Sequence, residues 1–178
     1  KIVINLKNQI HQTESSSIVK IKLNNSKLSS KLEMLNNNLE NNLIKGNFSI
    51  KKDKNKIMAI FEYRNNKIIV KKGNLHNTFL DGKFTGVLKI LPFFDFDIDM
   101  NLNTLNFNKL YSVITNLDKE EREKLFKINK KINGELILSA NKIYSRNSLF
   151  NSFESRTKFM NGNIFVEQIF DTFLLPFL

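Results

Sequence analysis

The stretch Gly82–Leu110, GKFTGVLKILPFFDFDIDMNLNTLNFNKL, decides the fold. In its second part, apolar side chains occupy the even positions from 94 to 102, and polar ones occupy the odd positions from 95 to 103. This period of two is typical of a strand with one buried face. The first part has the same pattern, with Phe84, Leu88 and Ile90 on one side. The two parts meet at Pro92 and predict a pair of antiparallel strands with an apolar face and a solvated face.

The same pattern, interrupted by turn residues such as Asp81 and Gly82, extends along most of the chain. Residues 44–103 predict a strand meander, with strands at 44–51, 56–63, 67–72, 75–80, 83–91 and 94–102. Two earlier strands are predicted at 2–6 and 18–23. Returning strands are predicted over 132–170, at 133–140, 142–146, 149–160 and 163–170. Turns at this spacing indicate an antiparallel, mainly β architecture.

Two stretches have helical spacing instead. Over 26–43, leucines recur at intervals of three or four, from Leu28 to Leu43, which predicts an amphipathic helix capped by Ser26. Residues 107–130 predict an insert of one or two helices, at 107–114 and 117–128. Asp118 followed by Glu121 is a capping pattern for the second. The predicted fold class is therefore mainly β (α+β), a curved antiparallel meander or half-open β-groove with one or two inserted helices.

The length of 178 residues suits one β-rich domain spanning 1–178, which can bury about 70% of its unfolded surface. Because the sequence begins at Lys1 and ends in the apolar run 174–178, we expect it to be a segment of a longer chain. No apolar run approaches the roughly 20 residues that a membrane-spanning helix needs. Any signal or anchor is therefore expected outside this segment.

The net charge is +11, which is compatible with nucleic acid or an anionic membrane as a partner. Lysine, asparagine, isoleucine and phenylalanine are all abundant, as an AT-rich coding sequence produces, and the lysines occur in ones and twos. This distribution favours a compositional origin of the charge and argues against nucleic-acid binding. The chain has no cysteine, which excludes disulfides, thiolate zinc sites and cysteine nucleophiles.

Acidic residues alternate at Asp95, Asp97 and Asp99, as at the start of a calcium-binding EF-hand loop. That loop requires glycine at its sixth position and glutamate at its twelfth, where this chain has Met100 and Asn106. A solvated strand face is the better interpretation. The histidines, His11 and His76, lie apart in polar segments without ligands at metal spacing. We therefore expect no metal site, no cofactor, no catalytic residue and no enzymatic activity.

Phenylalanine is unusually frequent, with 16 copies. In a closed sheet these side chains form the core, whereas in an open curved sheet they line a groove suited to acyl chains. Such a groove is predicted to be lined by Phe84, Leu88, Ile90, Phe94, Phe96, Ile98, Met100, Leu102, Leu136, Leu138, Phe153 and Phe159.

Between Ile44 and Phe170, a series of short motifs resembles the carboxy-terminal region of AsmA-family proteins. Each motif is degenerate, and the resemblance lies in their order. The motifs are Gly46-Asn-Phe-Ser-Ile50, Tyr63, Asn74-Leu75, Asp81-Gly82 with Gly86, Pro92, Phe96-Asp-Ile-Asp99, Leu105-Asn-Phe107, Ile132 to Ala140 and Asn161-Gly-Asn-Ile164. The helical insert after Phe107 is the variable part in that family.

The resemblance implies a periplasmic protein of a Gram-negative bacterium, anchored to the inner membrane by a segment outside this sequence. The family is similar to TamB and other bridge-like proteins with a half-open, apolar β-groove. The implied partner is phospholipid or another acyl lipid, conducted towards the outer membrane, or else the protein assists outer-membrane assembly. That family has no catalytic motif to carry over. The alternative is a structural β-rich envelope or surface module with a closed core and no lipid cargo.

Overall fold

A computed structural model describes residues 2–10, 14–36, 43–127, 129–145 and 152–172. The chain is mainly β, with one open sheet of 12 strands and two short helices. The strands are β1 (Ile2–Ile10), β2 (Ser15–Leu23), β3 (Leu28–Asn36), β4 (Ile44–Lys52), β5 (Asn55–Arg64), β6 (Lys67–His76), β7 (Leu80–Lys89), β8 (Phe94–Asn106), β9 (Ile132–Ala140), β10 (Ile143–Tyr144), β11 (Ser152–Met160) and β12 (Asn163–Thr172). The helices are α1 (Phe107–Thr115) and α2 (Lys119–Phe126).

The strands follow one another across the sheet almost in chain order. The order is β1 through β9, then β11 and β12, while β10 pairs with β8. From β1 to β8 every neighbouring pair is antiparallel. The antiparallel pair predicted within Gly82–Leu110 is confirmed, because Leu88 of β7 lies opposite Phe96 of β8. A turn at Asn161 and Gly162 joins β11 to β12, and both residues have positive φ.

Two pairings differ from the predicted antiparallel arrangement. Strand β9 runs parallel to β8, with Ile98 opposite Leu136, and β10 also runs parallel to β8. The two helices separate β8 from β9 and carry the chain back to the start of β8. A parallel neighbour requires a crossover of this kind, of a dozen or more residues.

The helix predicted over 26–43 is wrong. Residues 28–36 form β3, which pairs with β2 on one side and β4 on the other, and residues 37–42 lie outside the described part of the chain. The spacing of four between Leu28 and Leu32 is even, so both side chains share a face in a strand as well as in a helix. Leu35 breaks the stripe, lying on the other face with 40% of its surface exposed.

The short strand predicted at 75–80 is also wrong. Leu75 and His76 end β6, Leu80 begins β7, and a turn lies between them. The side-chain oxygen of Asn77 accepts hydrogen bonds from the backbone N–H groups of Phe79 and Leu80, both at 2.8 Å. The Asn77 side chain thus bonds backbone N–H groups that would otherwise pair with a neighbouring strand. The chain therefore forms a turn here rather than a strand.

The helical insert is confirmed as two helices. The side chain of Asn106 caps α1 by accepting from the backbone N–H of Lys109 at 3.0 Å. The predicted capping box starts α2, since Asp118 accepts from the Glu121 N–H at 2.8 Å and the Glu121 carboxylate accepts from the Asp118 N–H at 3.1 Å. These bonds satisfy N–H groups that have no partner within the helix.

The remaining predicted strands are present, and most are longer than predicted. Two predictions fall partly outside the described residues. The strand predicted at 142–146 is β10, whose last predicted residue, 146, is not described. The strand predicted at 149–160 is β11, which is described from Ser152 onward.

A small core lies where α1 approaches the sheet. Leu102, Leu105 and Ala140 are buried there, with Leu110 of α1 and Phe153 of β11 packed against them. Leu102 is only 2% exposed. This core lies at the carboxy-terminal end of β8, and so at one end of the strands.

Candidate functional site

The strand register gathers apolar side chains onto one face of the sheet. Phe84 of β7 lies opposite Gly73 on β6 and Met100 on β8, so all three residues share this face. Towards the first strand, Leu32 of β3 lies opposite Phe48 of β4 on the same face. The opposite face carries the charged residues. We call these the apolar face and the polar face.

Much of the apolar face is open to solvent. The chain exposes 13264 Å², whereas a compact monomer of 20.8 kDa exposes about 8,900 Å². Among the described residues, strands β2 to β7 make extensive contacts with their neighbours in the sheet and with no helix, and helix contacts concentrate near β10. At the outer edge, Ile4 and Leu6 of β1 are 64% and 63% exposed. Exposed apolar surface of this kind is typical of sites that contact a partner, a membrane or a ligand.

The apolar face contains a cavity of about 710 Å³ above strands β2 to β7. Almost all of its lining is hydrocarbon or aromatic. The lining residues are Val19, Ile21, Ser30, Lys31, Leu32, Met34, Ile44, Phe48, Ser49, Ile50, Phe61, Tyr63, Ile68, Val70, Phe84, Leu88 and Ile90. The volume lies within the roughly 300–1,000 Å³ of small-molecule sites.

Phenylalanine rings lie over glycines on this face. A Cβ added to Gly46 would lie 2.6 Å from Cζ of Phe61, and one added to Gly73 would lie 2.5 Å from Cζ of Phe84. Each ring therefore uses the space left by the missing side chain on the neighbouring strand, which holds the ring flat against the sheet. The floor of the cavity is built in this way, and Phe61 is buried.

The predicted groove residues divide into three groups. Phe84, Leu88 and Ile90 line the cavity. Leu102 is enclosed in the small core and is not open to a ligand. The register places the others on the apolar face beyond the cavity, across β8, β9 and β11; they are Phe94, Phe96, Ile98, Met100, Leu136, Leu138, Phe153 and Phe159.

The third group, beyond the cavity, has its own aromatic cluster. The Phe96 ring lies 5.3 Å from that of Phe159 and 6.0 Å from that of Phe94, measured between centroids. Phe96 and Phe159 are each paired in register with Gly134 of β9, from its two sides. The apolar face thus continues past the cavity without a polar interruption at β8 and β9.

Sequence reasoning missed the part of the cavity that strands β2 to β6 provide. The incorrect helix at 26–43 removed Leu32 and Met34 from consideration, although both line the cavity. A signal was present, because the even positions 32 and 34 are apolar while Lys31 and Glu33 occupy the odd ones. This alternation predicts a strand.

On the polar face, Asp95, Asp97 and Asp99 form a stripe along β8. Asp97 lies opposite Glu135 on β9, and Glu135 forms a salt bridge with Arg156 at 3.1 Å. Within the described ranges, no group of three or more histidine, aspartate or glutamate side chains could hold a metal ion.

His76 belongs to a hydrogen-bonded group at the β6–β7 turn. Its Nδ1 lies 2.9 Å from Oδ1 of Asp81, whose Oδ2 accepts from Nδ2 of Asn103 at 3.2 Å. The bonds from His76 and then Asn103 lower the pKa of Asp81 below its usual value. All three side chains are exposed to water, so the group ties β6, β7 and β8 together and forms no enclosed reaction site. His11 lies outside the described residues.

Comparisons with known proteins found no match. No protein-family model matches the chain, and no curated protein or solved structure is significantly similar to it. Neither helix in the described part of the chain is long and apolar enough to cross a membrane.

Proposed function

We propose that the chain binds the acyl chains of phospholipid or another lipid along its apolar face, without catalysing a reaction. The observation that carries this proposal is the apolar face, over which no described helix lies, with its cavity of about 710 Å³. Hydrophobic transfer is the binding force, at about 0.8 kcal/mol for each methylene removed from water. No proton transfer or covalent step is needed.

The chemistry of the lining supports an acyl chain rather than a polar ligand. Its polar side chains are few, and only Lys31 among them carries a charge. A polar ligand would lose its hydrogen bonds to water without gaining partners on such a surface. A lipid would therefore place its hydrocarbon in the cavity and keep its headgroup in water.

The continuity of the apolar face supports conduction as well as binding. The cluster around Phe96 extends the apolar face from the cavity towards β11. We propose that the sheet curves around this face as a half-open groove along which an acyl chain moves. Together with the resemblance to AsmA-family proteins, this favours a periplasmic protein, anchored at the inner membrane, that serves outer-membrane biogenesis.

The alternative of a structural module with a closed core requires a layer over the apolar face. Among the described residues, such a layer is present over the small core around Leu102, where Leu110 of α1 packs against the sheet. No described helix or strand covers the cavity residues in a comparable way. This difference favours the lipid-binding proposal.

The proposal is tested by placing a charge in the cavity. Leu88→Asp puts a carboxylate into the lining, and Asn101→Asp puts the same charge on the polar face of β8. Lipid that copurifies with each protein is extracted and measured by mass spectrometry. We expect Leu88→Asp to lose most of its lipid and Asn101→Asp to retain it.

Equal lipid content in both variants would overturn the proposal. Circular dichroism verifies that each variant is folded. If Leu88→Asp does not fold, Ile50→Asp replaces it, because Ile50 lies in the cavity lining and is already 41% exposed.

A further inference from the structure

The whole net charge of the chain belongs to its first half. Residues 1–90 contain 17 lysines and arginines and six aspartates and glutamates, whereas residues 91–178 contain 11 of each kind. The second half is therefore neutral overall. The first half corresponds to β1 through β7. Uniform compositional bias does not produce this division.

The register directs most of these positive charges to the polar face. Lys20 of β2 lies opposite Lys31 of β3, and Lys51 of β4 lies opposite Lys56 of β5, all on the side away from the cavity floor. We call the polar side of β2 to β7 the basic face. Its basic residues are Lys20, Lys22, Lys31, Lys45, Lys51, Lys56, Arg64, Lys67, Lys71, Lys72, Lys83 and Lys89.

Like charges stand directly opposite each other on the basic face. Besides the two pairs just named, Lys67 of β6 lies between Arg64 of β5 and Lys89 of β7. Such cross-strand pairs destabilise a sheet in isolation. An anionic partner would remove this repulsion, so the arrangement indicates that the face is used with one.

Acidic residues only partly neutralise the basic face. In strands β2 to β7 its acidic side chains are Glu33, Glu62 and Asp81. Glu33 pairs with Lys31, and Glu62 pairs with Lys71 at 3.2 Å. The acidic stripe on β8 then borders the basic face. The polar side of the sheet therefore has a positive part, over β2 to β7, and a negative part, along β8.

A shallow depression of about 410 Å³ lies within the basic face. Lys31 and Lys72 contribute cations to its lining, and Asn47, Ser49 and Asn74 contribute hydrogen-bond donors. Met58 and Ile60 lie beside them, and Ile60 is 54% exposed. Cations and amide donors next to exposed apolar side chains match the boundary between phosphate headgroups and acyl chains.

We propose that the basic face binds the surface of a bilayer containing anionic phospholipid. Charge complementarity supports this partner, and the six strands present a surface about 24 Å across, at roughly 4.8 Å per strand interval. Single-stranded nucleic acid fits less well, because it requires aromatic side chains beside the lysines and the basic face of the described strands has none. The proposal does not depend on lipid binding in the cavity, most of whose lining lies on the other face, although the cavity and the depression have Lys31, Phe48 and Ser49 in common.

Vesicle cosedimentation tests the proposal. The protein is mixed with vesicles of phosphatidylcholine alone or with added phosphatidylglycerol, over a range of salt concentrations. We expect binding to the anionic vesicles only, and weaker binding as salt increases. The triple variant Lys20→Gln, Lys51→Gln and Lys56→Gln, none of whose lysines lines the cavity, should bind about 100-fold more weakly, at about fivefold for each lysine.

The control removes the same charge elsewhere. Lys127→Gln, Lys130→Gln and Lys131→Gln alter exposed lysines before β9, and should leave vesicle binding within about twofold. Equal loss in both triple variants, or no binding to anionic vesicles, would overturn the proposal. The proposal would also be overturned if a single-stranded oligonucleotide stayed bound at salt concentrations at which the vesicles are released. Lipid copurifying in the cavity is measured separately, and should be the same in the basic-face variant.

Discussion

Two leucines on the apolar face should differ sharply in what they contribute to stability. Leu102 is 2% exposed in the small core, so Leu102→Ala should cost about 3 kcal/mol, including the cavity it leaves. Leu88 is half-buried at the edge of an open cavity. Water can fill the space left by Leu88→Ala, so we expect a cost of about 1 kcal/mol.

Urea unfolding, followed by circular dichroism, measures both costs. Thermal unfolding gives a second measure, and in a protein of this length the expected decreases in melting temperature are roughly 6–12 °C for Leu102→Ala and 2–4 °C for Leu88→Ala. The measurement is repeated at several protein concentrations, because association between copies would make stability depend on concentration. Equal losses would refute the reasoning, since they would mean that the face above Leu88 is closed.

Other consequences of the structure can be measured with the same unfolding assay. Gly73→Ala should cost about 1–3 kcal/mol, because the added methyl group collides with the Phe84 ring; no loss would show that this close packing is absent. His76 lowers the pKa of Asp81, so the stability from this pair is present above the unfolded pKa of about 3.9 and is lost as pH falls through the lower folded pKa. The advantage of the wild type over Asp81→Asn should shrink in acid, and an advantage that grows would contradict this. Asp118→Ala should cost about 1 kcal/mol or appear as lost helical signal, and an unchanged α2 would show that its capping box contributes nothing.

The strands around Pro92 could be predicted because their pattern is local. Alternation of Phe96 with Asp97 fixes both the strand and its two faces, whatever lies beside it. The capping box of α2 was equally predictable, since Asp118 and Glu121 are three residues apart. Local signals of this kind need no knowledge of the neighbouring strands.

The position of the cavity could not be predicted, because it depends on which strands are neighbours. Leu32 and Phe84 belong to the same lining although they lie on β3 and β7. The spacing of Leu28 and Leu32 suits both a helix and a strand, and the pairing of β3 with β2 and β4 decides between them. Likewise, nothing in β9 alone specifies that it runs parallel to β8.

The charge of the chain shows a similar dependence on tertiary structure. Lys20 and Lys31 are far enough apart in sequence to look like scattered lysines, yet they lie opposite each other on neighbouring strands. The sequence therefore favoured a compositional origin. Only the register shows that the positive charges share one face.

The central claim is that acyl chains occupy the apolar face, and site-specific photocrosslinking tests it most directly. A benzophenone amino acid is placed at Leu88, in the cavity lining, and at Asp97, on the polar face of the next strand. Each protein is purified away from membranes, irradiated and analysed for attached lipid by mass spectrometry. We predict attached lipid at Leu88 and none at Asp97. Lipid at neither position, or equally at both, would contradict the claim.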